Sequence, residues 1–323
     1  MNSLIARSST AARVARSALT IVPVLALSSP GSHYAATPPL VTSALPGTRV
    51  VILGTGTPNA DPDRSGPAVA IVVGNDTYLV DAGPGIVRRA AQAATADSIA
   101  ALDAPHLRRV FLTHLHSDHT AGLPDLILMP WTLGRTEPID VFGPTGTKRM
   151  VDLLEQAYSE DVQIRLHGGE PSNKTGYAAR GHDANSGVVY RDSNVTVTAI
   201  EVAHGKWEHA VGYVFQTRDR KIVVSGDTHP TDAIVRACNG CDVLVHEVYS
   251  AERFKTRTAD WQAYHSAYHT STYELGDLAT RARPKLLLLY HQLYWGDDDA
   301  GLLRQVETKY TGAVVSARDL GVY

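Results

Sequence analysis

The sequence predicts a layered α/β fold, and two observations carry that reading. Short runs rich in Val, Ile and Tyr, ending in Gly or Asp, recur along the chain with helical patterns between them. Their order is a group of strands, then helices, then strands again, which suits packed layers better than a strictly alternating, doubly wound sheet. Strands are expected at 49–53, 68–73, 77–80, 110–113, 195–200, 211–216, 221–225, 243–246 and 286–290. Helices are expected at 85–96, 123–129, 145–158, 230–237, 270–281 and 301–310. A chain of 323 residues that is 44% hydrophobic can bury a large core, either as one domain near the upper size limit or as two fused halves.

Residues 1–36 stand apart from this body. They hold Arg7, Arg13 and Arg16 without an acid, an apolar stretch at 18–27, and small residues leading to Tyr34, Ala35 and Ala36. That is the layout of a secretory signal peptide, too short to span a membrane, and it leaves 37–323 as the folded domain. Export to a periplasm or the medium is the expectation. An Arg- and Ser-rich, acid-free organelle transit peptide has the same cues, so an organellar or cytoplasmic location is the alternative. No later stretch is long and apolar enough to cross a bilayer.

Without the leader, 27 Lys and Arg face 33 Asp and Glu, a net charge of −6. A tight grip on nucleic acid needs a basic face to neutralise phosphates, and the bulk charge does not advertise one. The two cysteines form Cys238-Asn239-Gly240-Cys241. One such pair makes neither a zinc ribbon nor a thioredoxin-type site; it is a small disulfide in an oxidising compartment or two packed thiols at a helix-to-strand turn. Residues 158–191 are the least regular stretch and read as a long loop, a lid or rim of the site or a tolerated surface insertion.

The chemistry concentrates after the strand expected at 110–113. His114 and His116, two apart on an extended segment, point to one side and can reach one ion while Leu115 packs away. Asp118 and His119 follow on the turn, where the chain offers a different set of ligands. Burying four such groups without a metal would be very costly, which weighs against a packed core as their explanation.

This cluster resembles the H-x-H-x-D-H signature of the metallo-β-lactamase superfamily, whose fold is a four-layer αββα sandwich. Further matches follow in the family's order at His204, Asp227 and His291, with Asp81 at a strand end as in the family's first motif. The resemblance spans about 49–291 and implies that His114, His116 and His204 bind one ion, that Asp118, His119 and His291 bind a second, and that Asp227 bridges them. Imidazole and carboxylate without thiolate suit zinc, with manganese or iron tolerated. Two such ions lower the pKa of a shared water, and the resulting metal-bound hydroxide is the expected nucleophile.

Two further segments narrow the branch. Leu53-Gly54-Thr55-Gly56-Thr57-Pro58 resembles the opening of the ribonuclease Z, arylsulfatase and cyclic-nucleotide phosphodiesterase branch, and it lacks the ending of a P-loop. His246-Glu247 and His269-Thr270-Ser271-Thr272 are similar to that branch's H-E-A-T and H-S-T motifs, with Val248-Tyr249 where Ala-Thr is usual. The resemblance implies that His269 gives a proton to the leaving oxygen while Glu247 orients it, with Asp118 completing the catalytic group. His265, four residues earlier and on the same face if the segment is helical, competes for the acid role. His246 should point away from Glu247 and be structural. Of the other histidines, His209 and His229 lie near ligand segments and are the candidates to support ligands.

The expectation is a dinuclear hydrolase of a phosphodiester or a related sulfate ester, acting on a small ester or on RNA. One alternative is a tRNA 3′-end endonuclease of the ribonuclease Z type, which the export signal and acidic charge disfavour. A second is a lactone, β-lactam or thioester hydrolase, which has no need of the Glu247–His269 pair. A non-catalytic metal-binding protein would not need the acid either. Relatives in this branch often form homodimers, and nothing in the sequence identifies an interface.

Overall fold

The structure, a computed structural model, describes residues 47–323; the leader read at 1–36 lies outside them. The described residues form one compact unit. One sheet runs in order through β1 (Arg49–Gly54), β2 (Ala68–Val73), β3 (Asp76–Val80), β4 (Arg109–Phe111), β5 (Ile139–Gly143) and β6 (Ala179–Asp183). The other holds β7 (Gly187–Arg191), β8 (Val195–His204), β9 (Trp207–Thr217), β10 (Lys221–Val224), β11 (Val243–Tyr249), β12 (Leu286–Leu293) and β13 (Val314–Ser316), again in sequence order. Each sheet is antiparallel on one side and parallel on the other. β1 to β3 and β7 to β10 pair antiparallel, while β3 to β6 and β10 to β13 pair parallel.

The helices are α1 (Ile86–Ala96), α2 (Ser117–Thr120), α3 (Leu123–Thr132), α4 (Thr147–Ala157), α5 (Ser159–His167), α6 (Asp232–Cys238), α7 (Ala251–Phe254), α8 (Ala259–Tyr268), α9 (Thr272–Ala282) and α10 (Asp299–Glu307). Strand alternation divides the core. Val51 and Leu53 of β1 join the cluster under α1, α3 and α4, whereas Val50 and Ile52 face Tyr213, Phe215 and Leu288 of the other sheet. A third cluster seats Ile234 of α6, Leu275 and Leu278 of α9 and Leu302 of α10 against Leu244 and Leu287. The result is helix, sheet, sheet, helix, the four layers expected, and strands buried on both faces explain the near-continuous apolar runs.

Pro130 lies inside α3, and its missing N–H leaves the Leu126 carbonyl without a helical donor. The buried guanidinium of Arg135 donates to that carbonyl at 3.0 Å and also to those of Leu107, Ile127 and Gly176. Helix α3 is thereby tied to the segment before β6.

Three expectations change. Residues 158–191 are not a long loop: they form α5, β6 and β7, which close one edge of each sheet. β6 reads Ala-Arg-Gly-His-Asp and carries no apolar alternation, because only one edge of it pairs and α4 covers it where Gly181 has no side chain. A Cβ on Gly181 would lie 2.6 Å from the Lys148 Cα. β4 ends at Phe111 and not at Thr113, so His114 and His116 do not follow the strand directly but lie on the loop that leads into α2. The segment before His269 is helical, but α8 ends at Tyr268 and His269 is extended (φ −134°, ψ 167°), so His265 and His269 do not share a helix face. Cys238 and Cys241 are joined in a disulfide between the end of α6 and β11.

Candidate metal centre

Asp81, the His114–His119 loop, His204 and Asp227 follow or end β3, β4, β8 and β10, and Glu247 and His291 lie within β11 and β12. Bends with positive φ turn some of these side chains inward. Asp81 has φ +60° immediately after β3. His291 has φ +46° and is an extra residue in its strand: Tyr290 pairs with Glu247 and Gln292 with Val248, so His291 is the bulge. A bulge re-aims a side chain out of the pleat, here toward the other sheet. Gly226 precedes Asp227 with φ +62°, and a Cβ there would meet the Thr113 Cβ at 2.7 Å.

All seven expected ligands come together. His114 Nε2 and His204 Nε2 lie 2.9 and 3.2 Å from His116 Nδ1. His119 Nε2 and His291 Nε2 lie 3.6 and 3.3 Å from Asp118 Oδ2, and 3.4 and 3.6 Å from Asp227 Oδ2. Asp227 also groups with His114 and with His204, so one carboxylate reaches both clusters. Ligands at 2.0–2.2 Å around a tetrahedral cation stand about 3.3–3.6 Å apart, which matches most of these separations. His119 Nε2 and Asp227 Oδ1 are buried with no hydrogen-bond partner, as atoms reserved for a cation would be. The residues therefore fit a pair of divalent ions.

On His119 and His204 the opposite ring nitrogens are spoken for. His119 Nδ1 donates to Asp81 Oδ2 at 2.8 Å, and Asp81 Oδ1 accepts from the Thr113 N–H at 2.8 Å. His204 Nδ1 donates to the Tyr268 carbonyl at 2.8 Å. Both contacts leave Nε2 free to ligate and fix the ring. On the exposed side of His116, Trp207 Nε1 donates to its Nε2 at 2.8 Å.

Charges divide along the same lines. Burial pushes His114 well below the usual imidazole range and His204 down to about 3. For His119 and His291 burial acts in the same direction, but Asp227 with Asp81 or Asp118 outweighs it and raises both. Those imidazoles in turn overcome burial at Asp227 and hold it well below the carboxylate range. The site thus stabilises concentrated charge, as two cations require.

Beside the cluster, Glu247 is wholly buried, and its Oε1 accepts from the Thr270 and Thr228 N–H groups at 2.9 and 3.3 Å. That grip leaves Oε2 at 3.4 Å from His269 Nδ1. Burial disfavours charge on both partners, raising Glu247 and lowering His269 to about 4. It is His269 and not His265 that lies against Glu247. His265 sits on α8 with its ring 5.5 Å from that of His269. His246 points away, its Nδ1 donating to the Glu247 carbonyl. His229 lines a cleft of about 710 Å³ beside His204, and His209 lies beside Glu208.

Sequence reasoning missed the supporting groups. Trp207 and Thr113 left no signal beyond their neighbourhood. Trp261, Tyr264, His265 and Tyr268 do recur at helical spacing, the one mark in the sequence of an aromatic face on α8. Their rings run alongside the site: Tyr264 stacks on Tyr268 at 4.3 Å, Tyr268 packs on His204 at 5.0 Å, and Trp261 stacks on His265 at 5.4 Å.

Comparison with known proteins follows the same lines. A family model described as "Beta-lactamase superfamily domain" matches residues 76–292. A protein named ribonuclease Z from Mycobacterium bovis is 30% identical over 246 residues, covering 75% of this chain and 85% of its own. Among solved structures, the short form of human tRNase Z superposes with a TM-score of 0.63 at 22% identity, over 85% of this chain and 98% of that one. The metallo-β-lactamase fold protein YhfI from Bacillus subtilis gives 0.66 at 18% identity, over 85% and 98%. The chain belongs to the metallo-β-lactamase superfamily, in its ribonuclease Z and phosphodiesterase-like branch of metal-dependent hydrolases.

Proposed function

We propose that the protein hydrolyses a phosphodiester or a related ester with two divalent ions, zinc by ligand chemistry, and with His269 as the acid. His114, His116 and His204 would hold one ion, Asp118, His119 and His291 the other, and Asp227 both. One observation carries the reading: a single carboxylate, Asp227, lies within ligand distance of both histidine clusters, and the Glu247–His269 pair adjoins it. Two cations seated there supply a water that ionises near neutral pH and positive charge against the ester oxygens.

The chain's own groups do the rest. Glu247, fixed by two backbone N–H groups, orients His269 through Nδ1 and turns Nε2 outward. His269 then gives a proton to the departing oxygen, which otherwise leaves as a costly alkoxide. After the transfer His269 is a neutral imidazole with its Nδ1–H toward the Glu247 carboxylate, and the pair has passed one proton to the leaving group. A carboxylate-held imidazole acid suits poor leaving groups, which favours diesters over activated lactams.

The substrate depends on compartment. The disulfide between Cys238 and Cys241 supports an oxidising environment, in keeping with the leader, and so supports an exported esterase. A second reading, processing of tRNA 3′ ends, is favoured by the mycobacterial relative and requires the leader to be something other than an export signal. Assaying precursor tRNA, bis(p-nitrophenyl) phosphate and an aryl sulfate side by side separates them, and inertness toward all three refutes both. N-terminal sequencing of the native protein fixes the compartment. Metal content of Asp227→Ala tests the bridge: both equivalents should be lost, and a preparation that keeps two refutes it.

A further inference from the structure

The side chain of Arg257, between α7 and α8, packs on aromatic rings and makes no side-chain hydrogen bond among the described residues. Its guanidinium carbon lies 5.8 Å from the Trp261 ring centre and 5.2 Å from that of Trp295. It forms no ion pair among the described residues, and its buried Nε has no hydrogen-bond partner. Cation–π contacts use the face of the guanidinium and leave its fork of N–H donors idle. An unpaired buried donor is costly, so the arrangement is complete only with an acceptor.

The same rings enclose a second idle nitrogen. His265 is buried, stacks on Trp261 at 5.4 Å, lies 4.5 Å from Trp295, and its Nδ1 also lacks a partner. Its ring is 5.5 Å from that of His269. Two nitrogens without partners, the Arg257 Nε and the His265 Nδ1, thus lie against the same two indole rings, with His265 next to the proposed acid. Oxyanions, which accept two parallel bonds from a guanidinium and answer its charge, match that site better than neutral groups do.

We infer that Arg257 and His265, between Trp261 and Trp295, form a subsite for a second phosphate of the substrate, on the side of the leaving group. The location within the substrate rests on the phosphodiester reading above; the anion site itself does not. It selects diesters whose leaving portion carries a further phosphate over simple aryl or alkyl esters.

Calorimetric titration of the metal-loaded protein with inorganic phosphate should show one bound equivalent fewer in Arg257→Gln than in the parent. Equal stoichiometry overturns the subsite. A second measurement compares kcat/KM for a dinucleoside monophosphate with and without a terminal phosphate, placed at either end. The parent should prefer one phosphorylated form at least tenfold, Arg257→Gln should bring that ratio near one, and Arg257→Lys should restore part of it. Arg253→Gln, on the exposed face of α7, should leave the ratio alone. A parent without preference, or an Arg257→Gln loss of the same factor on both substrates, marks Arg257 as a mere clamp between indoles. Inertness of the parent toward every diester removes the phosphodiester reading, and the phosphate stoichiometry still decides the subsite.

Discussion

Replacing Asp81 with Asn tests whether a carboxylate outside the ligand set tunes the metal centre. The substitution keeps shape, and Asn tolerates the φ of +60° that this position demands. The Asn Oδ1 can still accept from the Thr113 N–H, but its amide nitrogen then faces His119 Nδ1, where Asp81 Oδ2 now accepts at 2.8 Å. Two donors cannot meet, so a neutral His119 moves its proton to Nε2, the atom that must ligate. Loss of such an outer contact costs about 10–100-fold in metal affinity, equivalent to about 1.4–2.7 kcal/mol. One effect opposes this. Asp81 helps keep His119 protonated, and its removal eases proton competition with the metal. Measuring affinity by competition with a chromogenic chelator at pH 8 or above makes that competition smallest. A variant that binds both equivalents within twofold of the parent would show that the Asp81 contact does not set the His119 tautomer.

His269→Ala should keep both metal equivalents and lose about 10²–10⁴-fold in kcat on diesters with poor leaving groups, with a smaller loss on p-nitrophenyl esters. Metal lost together with activity would instead make His269 a ligand. Ligation through Nδ1 leaves the proton of His116 on Nε2, opposite the Trp207 N–H that now donates to it, so the 2.8 Å contact must open on metal loading. Tryptophan emission should therefore change on metal addition, and the change should vanish in Trp207→Phe while binding persists; emission that never responds counts against this geometry. Far from the site, Asp219 accepts from the Thr48 N–H and hydroxyl and from Thr217, and these bonds outweigh burial and hold it at about 2. Its folded pKa lies below the unfolded value of about 3.9, so its stabilisation is present above that pH and fades as pH falls toward 2. The melting temperature of Asp219→Asn should trail the parent at pH 6 and converge with it in acid; a gap that persists at low pH would assign the stabilisation to something other than the charge.

The ligands were legible because metal binding demands rare side chains at fixed spacings. His114, His116, Asp118 and His119 announce themselves within six positions, while His204, Asp227 and His291 needed the family pattern to be joined to them. What hid from view follows different physics. β6 pairs on one edge only and is built from Arg180, Gly181, His182 and Asp183, so neither apolar alternation nor β-propensity marks it. β4 was expected to run to Thr113, yet it stops at Phe111 because the Thr113 N–H bonds the Asp81 carboxylate instead of a neighbouring strand. The two cysteines were ambiguous for another reason: their pairing depends on redox conditions that no spacing encodes.

The site's position follows from how each sheet changes from antiparallel to parallel pairing. On the parallel side successive strands end on the same edge, so β3 and β4 of one sheet and β10 of the other deliver Asp81, the His114–His119 loop and Asp227 to one region. Strand pleat alone would then point half of these side chains away. The left-handed bends at Asp81, Gly226 and the His291 bulge break the pleat where ligation needs it broken, a conformational cost of about 1–3 kcal/mol per non-glycine residue that packing around the site must sustain. Residues with that strain belong to the shared chemistry. Helix α8, by contrast, is unstrained and aromatic and supplies no ligand, meeting the centre through the Ala267 and Tyr268 carbonyls and through ring contacts to His269, so its outer residues can vary without removing a ligand. Discrimination between substrates is therefore to be sought on α8, and hydrolytic power on the strained strand ends.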